Sequence, residues 1–500
     1  MPFIPPRRWL ILIAVMLAFL PIVIDMTILH IAVPSLALAL GASGTEILWI
    51  IDIYPLLMAG LLVPMGTLAD RMGNRRILLG GLSVFGVASL LAAFAQTPAM
   101  LIGARVLLAL GGAMIMPCVL GIIRRNFEDE RERAVALGLW GTVGAAGAAV
   151  GPLIGGALLE HFWWGSVFLI NVPIMAVVIP VAFMWLPRVE IMTPGRWAFG
   201  QALGLIAGII CVVYSIKAGI GATQPLWVVV MVLLLGLALL AIFVSQQLRS
   251  QTPMLDLSLF SHPAVVAGMI MAVVATGALA GVELTLALEL QFVLDKTPLQ
   301  AGVFMIPIMA AAAVGGPVAG YLSNRFGLRW VASLSLAISA GALAFLALAD
   351  FHIPGLAVPI QLAVLGLALS IGLTASSIAI MGSVDASKGG VAGSLEATAY
   401  ELGTGLGITF FGVFMSSVFA RTIALPVGLE PTFAAQAARS IGDSYVVAQS
   451  LNGPQAAELI RAAKDAFSTT HSTLLMTSAV LIGCLAIVVF LMLRSYRANH

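Results

Sequence analysis

Charge is what this 500-residue chain has least of: Asp, Glu, Lys and Arg make up 9% of it, where soluble domains carry about 25%. That scarcity excludes a water-exposed globule as the home of most of the chain. Cysteine is rarer still. Cys118, Cys211 and Cys484 all lie in apolar segments and read as small core residues, which excludes a disulfide framework or a cysteine metal site. The six histidines are scattered without metal-ligand spacing. No polybasic run suits nucleic acid, no Walker sequence precedes a soluble ATPase region, and no nucleophile constellation suggests an enzyme. Arg7 and Arg8 precede a long apolar run without a small-residue cleavage site, so the first helix is read as retained.

What is present in abundance is apolar sequence, 61% of the chain, with a mean hydropathy of +1.09. A spanning helix needs roughly 20 apolar residues. Runs of that length fall at 9–31, 46–68, 77–96, 101–123, 135–158, 166–187, 198–218, 226–248, 264–290, 299–322, 329–349, 356–381, 392–417 and 472–494. With the N-terminus inside, Arg71, Arg75, Arg76, Arg124, Arg125, Arg133, Arg196, Arg325, Arg329, Lys388 and Arg497 all fall on the inside, and the short outside loops hold almost no Lys or Arg. The positive-inside rule therefore predicts an even number of spans and two cytoplasmic termini. The longest loop, 418–471, is too short for an independent core. Pro431 and Pro454 stand where first helical turns begin, so the loop is predicted to carry short surface-lying helices.

Two turns repeat each other. "GTLADRMGNRR" (66–76) and "GYLSNRFGLRW" (320–330) share Gly66/Gly320, Leu68/Leu322, Arg71/Arg325, Gly73/Gly327 and Arg75/Arg329, an offset of 254 residues. Arg133/Lys388 and Gly138/Gly393 match at nearly the same offset. The second span thus corresponds to the tenth, eight spans on rather than six. This implies an all-α membrane protein of fourteen spans: a six-helix bundle over 1–187, two inserted helices over 198–248, and a second bundle over 264–500. Halves related in this way suit alternating access around a central site.

The motifs carry distinct chemistry. In 66–76, glycines permit a tight turn, and Asp70 with Arg71 and Arg75 can form ion pairs that hold one of two conformations; a merely topogenic basic loop is the alternative. In "GTVGAAGAAVGPLIGG" (141–156), Gly144, Gly147, Gly151 and Gly155 form one smooth face and Gly151-Pro152 adds a bend; packing alone would also explain it. Arg105, Asp25 and Asp52 are intramembrane charges at one level near the outer side. Such charges are expensive, so Arg105 is expected beside Asp52 or Asp25, with a purely structural ion pair as the competing reading. In the second half, Glu283, Glu396 and Glu401 lie within apolar runs, whereas Glu289, near an outer end, is expected to be solvated. Asp25 and Glu401, with Asp52, are the proton-coupling candidates. Asp25, Glu283, Glu396 and Glu401 with Tyr54 and Tyr400 are candidates to line a cation pocket, the aromatic rings offering cation–π contacts. Gly66, Asp70, Arg71, Gly73, Arg75, Arg105, Gly147, Gly151, Pro152 and Gly155 are the gating candidates. His30, five residues after Asp25, offers only a weak relay position.

The motifs together resemble those of the major facilitator superfamily, in its fourteen-span drug/proton antiporter branch, over nearly the whole chain. "GTLADRMGNRR" resembles the superfamily loop signature, "LIGARVLLALGGAMIMP" the fourth-helix signature with its buried arginine, and "GAAGAAVGPLIGG" the antiporter signature of the fifth helix. "IDMTILHIAVPSL" resembles the first-helix signature of the fourteen-span branch, and "LGASGTEILWIIDIYPLLMAG" and "AYELGTGLGI" are similar to its viologen and quaternary-ammonium resistance pumps. The resemblance implies a bacterial cytoplasmic-membrane antiporter that exchanges bulky lipophilic organic cations for protons, acting as a monomer, with no metal and no cofactor beyond the coupling proton. It places acidic coupling residues in the first and thirteenth helices, at Asp25 and Glu401. The tenth helix, "LQAGVFMIPIMAAAAVGGPVAG", lacks the acid that some relatives use for divalent cations; Glu283 is the possible substitute. Export of a neutral or anionic metabolite or lipid is the rival reading, and a non-transporting receptor or scaffold the remoter one.

Overall fold

Away from water, a long apolar run has to satisfy its own backbone N–H and C=O groups, and the helix does so within one segment. A computed structural model describes residues 7–495 apart from 128, 189–198, 221–223, 251, 252, 254, 256, 384–388 and 452. Arg196, Lys388 and Arg497 lie outside the described residues. Among those described, fourteen helices are long and apolar enough to cross a membrane. The first bundle comprises α1 (Arg7–Leu40), α2 (Gly44–Met72), α3 (Asn74–Ala93), α4 (Pro98–Asn126), α5 (Glu130–His161), the short α6 (Ser166–Leu169) and α7 (Asn171–Trp185). Two helices follow, α8 (Phe199–Ile220) and α9 (Leu226–Arg249). The second bundle comprises α10 (Pro263–Leu288), α11 (Pro298–Phe304), α12 (Ile306–Phe326), α13 (Leu328–Leu348), α14 (Ala357–Met381), α15 (Gly389–Thr422) and α18 (Pro454–Met492). The small helices α16 (Pro431–Ala437) and α17 (Ile441–Ser450) precede α18.

Much of the packing follows this division, while α2 also lies on α15 and α5 on α11 across it. α1 lies on α5 and α7, α2 on α4, and α3 on α4 and α7, while α10 lies on α14 and α15, α12 on α14, and α13 on α14 and α18. α8 and α9 pack on each other, and α8 also reaches α2 and α15. Gly60 of α2 makes that approach possible, since a Cβ there would come within 2.8 Å of Ile206 on α8.

The repeated turns are alike in backbone. Gly73 (φ 96°, ψ 132°) ends α2 and starts α3, and Gly327 (φ 85°, ψ 145°) does the same between α12 and α13. The equivalent arginines are anchored alike. Arg75 donates to the Phe183 carbonyl at 2.8 Å and lies over the Phe183 ring; Arg329 donates to the Phe490 carbonyl at 2.8 Å and lies over the Phe490 ring. In each bundle the turn thus ties the third helix of the repeat to its last. These turns mark the basic end of the molecule.

The opposite, loop end is covered by α16 and α17. Ser440 caps α17, and Asp443 in its first turn accepts from the Gly44 N–H at the start of α2 (3.3 Å). Burial pushes the Asp443 carboxyl above its ordinary value, against the opposing pull of the Ser440 and Gly44 hydrogen bonds. Tyr445 donates to the Phe292 carbonyl beyond α10 (2.6 Å), so α17 grips both bundles. The apolar run at 472–494 is only the second part of a 39-residue helix. Gly453 (φ 71°) and Pro454 start α18 early, and the buried Leu459, Ala463, Ala466 and Phe467 give its first turns their own packing.

Replacing Gly73 or Gly327 with Ala puts a Cβ on a backbone that only Gly adopts without strain, at a cost of about 1–3 kcal/mol. Each variant should melt below wild type in detergent. Gly320→Ala, where a Cβ would meet open space, should not. Equal melting of all three would sink the account of these turns.

Candidate functional site

One turn and a half of α2 organises the loop-end half of the interior. Residues three or four apart share a helix face, so Trp49 and Asp52 point one way, and the Ile50 carbonyl and Tyr54 another. On the second face, Arg105 of α4 donates from Nη1 to Asp25 Oδ2 at 2.5 Å and from Nε to the Ile50 carbonyl at 3.1 Å. Its guanidinium lies 4.5 Å from the centre of the Tyr54 ring. Asp25, Tyr54 and Arg105 are all buried, at 0%, 0% and 1% exposure. Of the two partners that the sequence allowed for Arg105, Asp25 is the one it takes. Gly112 leaves room for this, because a Cβ there would sit 2.8 Å from the Tyr54 hydroxyl.

The α5 glycines seat α1 in its place. Gly147 lies against Leu20 and Val23, Gly151 against Thr27, and Gly155 against Ile28, whose Cγ1 would be 2.6 Å from an added Cβ. Two turns of α1 are thereby fixed on α5, leaving Asp25 to α4. On the same stretch α5 also meets the second bundle: a Cβ on Gly302 would come within 2.7 Å of the Pro152 carbonyl, and one on Gly156 within 2.6 Å of Leu299.

On the first face of α2, Asp52 pairs with Lys217 of α8 at 2.5 Å and accepts from Thr409 of α15 at 2.8 Å. The Lys217 ammonium lies 3.9 Å from the Trp49 ring centre. Lys217 was not legible as a site residue, since it stands alone in "YSIKAGIG" at the end of an otherwise apolar span. Nothing local showed that this span packs on α2.

In the second bundle Glu401 is buried, its Oε2 has no hydrogen-bond partner, and no charged side chain among the described residues neutralises it. It lies within electrostatic reach of Tyr54, together with Asp25 and Arg105. One turn on, Gly405 lets α15 close onto Leu56 of α2. Glu396 and Tyr400 are bonded to each other, the Tyr400 hydroxyl donating to the Glu396 carboxylate on the side facing Leu373 of α14. Glu283 faces His30 of α1 at 3.4 Å across the seam between bundles, where Gln291 also donates to the Ile31 carbonyl. Glu289 corrects the expectation of a solvated end group. It is 3% exposed, in a π-turn (Glu289–Val293), where Ser468 donates to it at 2.7 Å and His471 lies 3.7 Å away. Pro454 marked a helix start, but not its unbroken continuation into the last span, and that continuation hid these partners. At the basic end, Asp70 pairs with Arg125 of α4 at 3.1 Å, both partly exposed. Gly66 meets only Pro117 at ordinary contact distance.

Comparison with known proteins places these features in a family. The model of the Major Facilitator Superfamily matches residues 15–408. The chain is 45% identical to the methyl viologen resistance protein SmvA of Salmonella typhimurium, over 96% of this chain and 97% of that protein. It is 34% identical to the multidrug efflux pump LfrA of Mycolicibacterium smegmatis, over 97% and 96%. Among solved structures, a bacterial homolog of the human lysosomal transporter Spinster, in an inward-facing and unoccupied conformation, superposes with a TM-score of 0.70, 18% identity and 99% coverage of both chains.

Removing one partner of a buried ion pair costs about 3–5 kcal/mol because the other charge is stranded. Arg105→Met should therefore sharply lower the yield of folded protein, measured by size-exclusion of the detergent-solubilised chain. The paired change Arg105→Met with Asp25→Asn should recover part of that yield. A single variant that folds like wild type would remove the pair from the structural core.

Proposed function

This chain belongs to the Major Facilitator Superfamily, and we propose that it is a proton-coupled antiporter exporting bulky lipophilic organic cations. It is a transporter rather than an enzyme, and its relatives are drug efflux pumps. In this reading the basic end faces the cytoplasm of a bacterial cell, both termini with it, as the positive-inside rule requires. The seams α2/α15, α5/α11 and α1/α10 close the loop end, so cargo enters from the cytoplasm.

The observation that carries the proposal is the unpaired Glu401. Asp25 is matched by Arg105 and Asp52 by Lys217, while Glu401 has no cation of its own among the described residues. A carboxyl held away from water binds a proton or a cation in preference to standing as a bare charge. Glu401 can thus hold a proton in one half of the cycle and the cation in the other. The apolar side chains packed beside α15, Leu56 of α2 among them, favour a lipophilic cation over a hydrated one. Asp25, in this assignment, positions Arg105 and holds the first bundle together. Exporting a monovalent cation for one proton moves no net charge, so the pH gradient drives it and the roughly 2.3 kcal/mol per charge of a 100 mV potential does not.

Inverted vesicles carrying the protein and an acid-interior gradient should lose part of that gradient when ethidium or a biguanide is added. Glu401→Gln should abolish the response at wild-type protein levels, whereas Asp25→Asn should act mainly by reducing the amount of folded protein. Collapse by a neutral or anionic solute alone, or full activity of Glu401→Gln, would overturn the reading.

A further inference from the structure

The inserted helices look peripheral, since most of α9 and one side of α8 face outward. Lys217 is the exception. It is 5% exposed, enclosed by Asp52 and the Trp49 ring, at a point where three parts of the molecule meet. Asp52 belongs to the first bundle, Lys217 to the inserted pair, and Thr409 to the second bundle. Asp52 is the middle rung of a close approach between α2 and α15. On one side Leu48 fills the space left by Gly412; on the other Leu56 fills that left by Gly405, where an added Cβ would lie 2.6 Å from its Cδ2. The two glycines bring the backbones together, and the Thr409 hydroxyl finds its acceptor between them.

A hydrogen bond to a carboxylate is roughly twice as strong as a neutral one, yet a lone carboxylate in this apolar place is costly. The Lys217 ammonium meets that cost from a helix outside both bundles. We propose that Lys217 is a positioning residue of the transporter: it supplies the fixed counter-charge of Asp52 so that Thr409 can latch the second bundle onto the first at the loop end. This rests on the alternating-access reading above. The inserted pair then contributes to gating, and Asp52, already matched by a resident cation, acts as a latch instead of carrying proton or cargo.

The test uses the full chain in liposomes without cargo, so that it does not depend on which solute is exported. Cys118, Cys211 and Cys484 are replaced by Ser, and spin labels are placed at Phe162→Cys and Leu356→Cys, exposed loop-end positions on opposite bundles (60% and 79%). Lys217→Met and Thr409→Val should each raise the population with a long inter-label distance by about tenfold, the effect of losing one charge-assisted hydrogen bond. Lys217→Arg should stay within about twofold of wild type and retain export. Should Lys217→Met fail to fold, the charge-neutral Lys217→Met/Asp52→Asn chain should show the same shift. Unchanged distances in both Lys217→Met (or its double) and Thr409→Val would overturn the latch, whatever happens to export. A wild-type chain that exports no cation would instead overturn the antiporter reading and leave these distances to be judged by themselves.

Discussion

A charge carried into hydrocarbon must find a partner inside the protein, because no water is there to screen it and its cost is several kcal/mol. The interior of this transporter is arranged around that demand. Asp25 and Arg105 join α1 to α4 and Asp52 and Lys217 join α2 to α8, while Glu283 faces His30 where α10 meets α1. Each pair lies between helices rather than along one, so charge matching also specifies which helices are neighbours. Among the carboxylates described above, Glu401 is the one with no side-chain partner, and such an exception is where function is expected.

Small residues make the matching possible. Gly112 clears the Tyr54 hydroxyl beneath Arg105, the α5 glycines seat α1, and Gly405 and Gly412 bring α15 onto α2. In a bilayer no hydrophobic drive pulls helices together, so close backbone approach supplies the contact energy. Polar pairs and glycine faces are therefore two halves of one device: the glycines set the distance at which the charges can meet.

Much of the architecture was legible because the bilayer imposes a simple code. Length of apolar run, side of the arginines and the Gly73/Gly327 repeat give the spans and their duplication, and each of these is local in the sequence. The Arg105–Asp25 pair was half legible: the level of the charges along their helices can be counted, but rotation about each helix axis cannot, so Asp52 competed equally. Lys217 was illegible because its meaning depends on where an inserted helix docks. Glu289 was misjudged for a related reason, since its cover comes from Ser468 and His471, far along the chain on the early turns of α18. Pro454 signalled a helix start there, but nothing in the composition of 454–471 told that the helix runs on unbroken.

That unbroken run has a mechanical consequence. α18 is a single rod from the cap at the loop end to the Phe490 anchor of Arg329 at the basic end. With no hinge between its two parts, a tilt of the second bundle is delivered undiminished, as leverage, to the cap that rests on it. In the alternating-access reading, the cap at the loop end thereby reports, and resists, a movement that begins about 50 Å or more away along the helix axis.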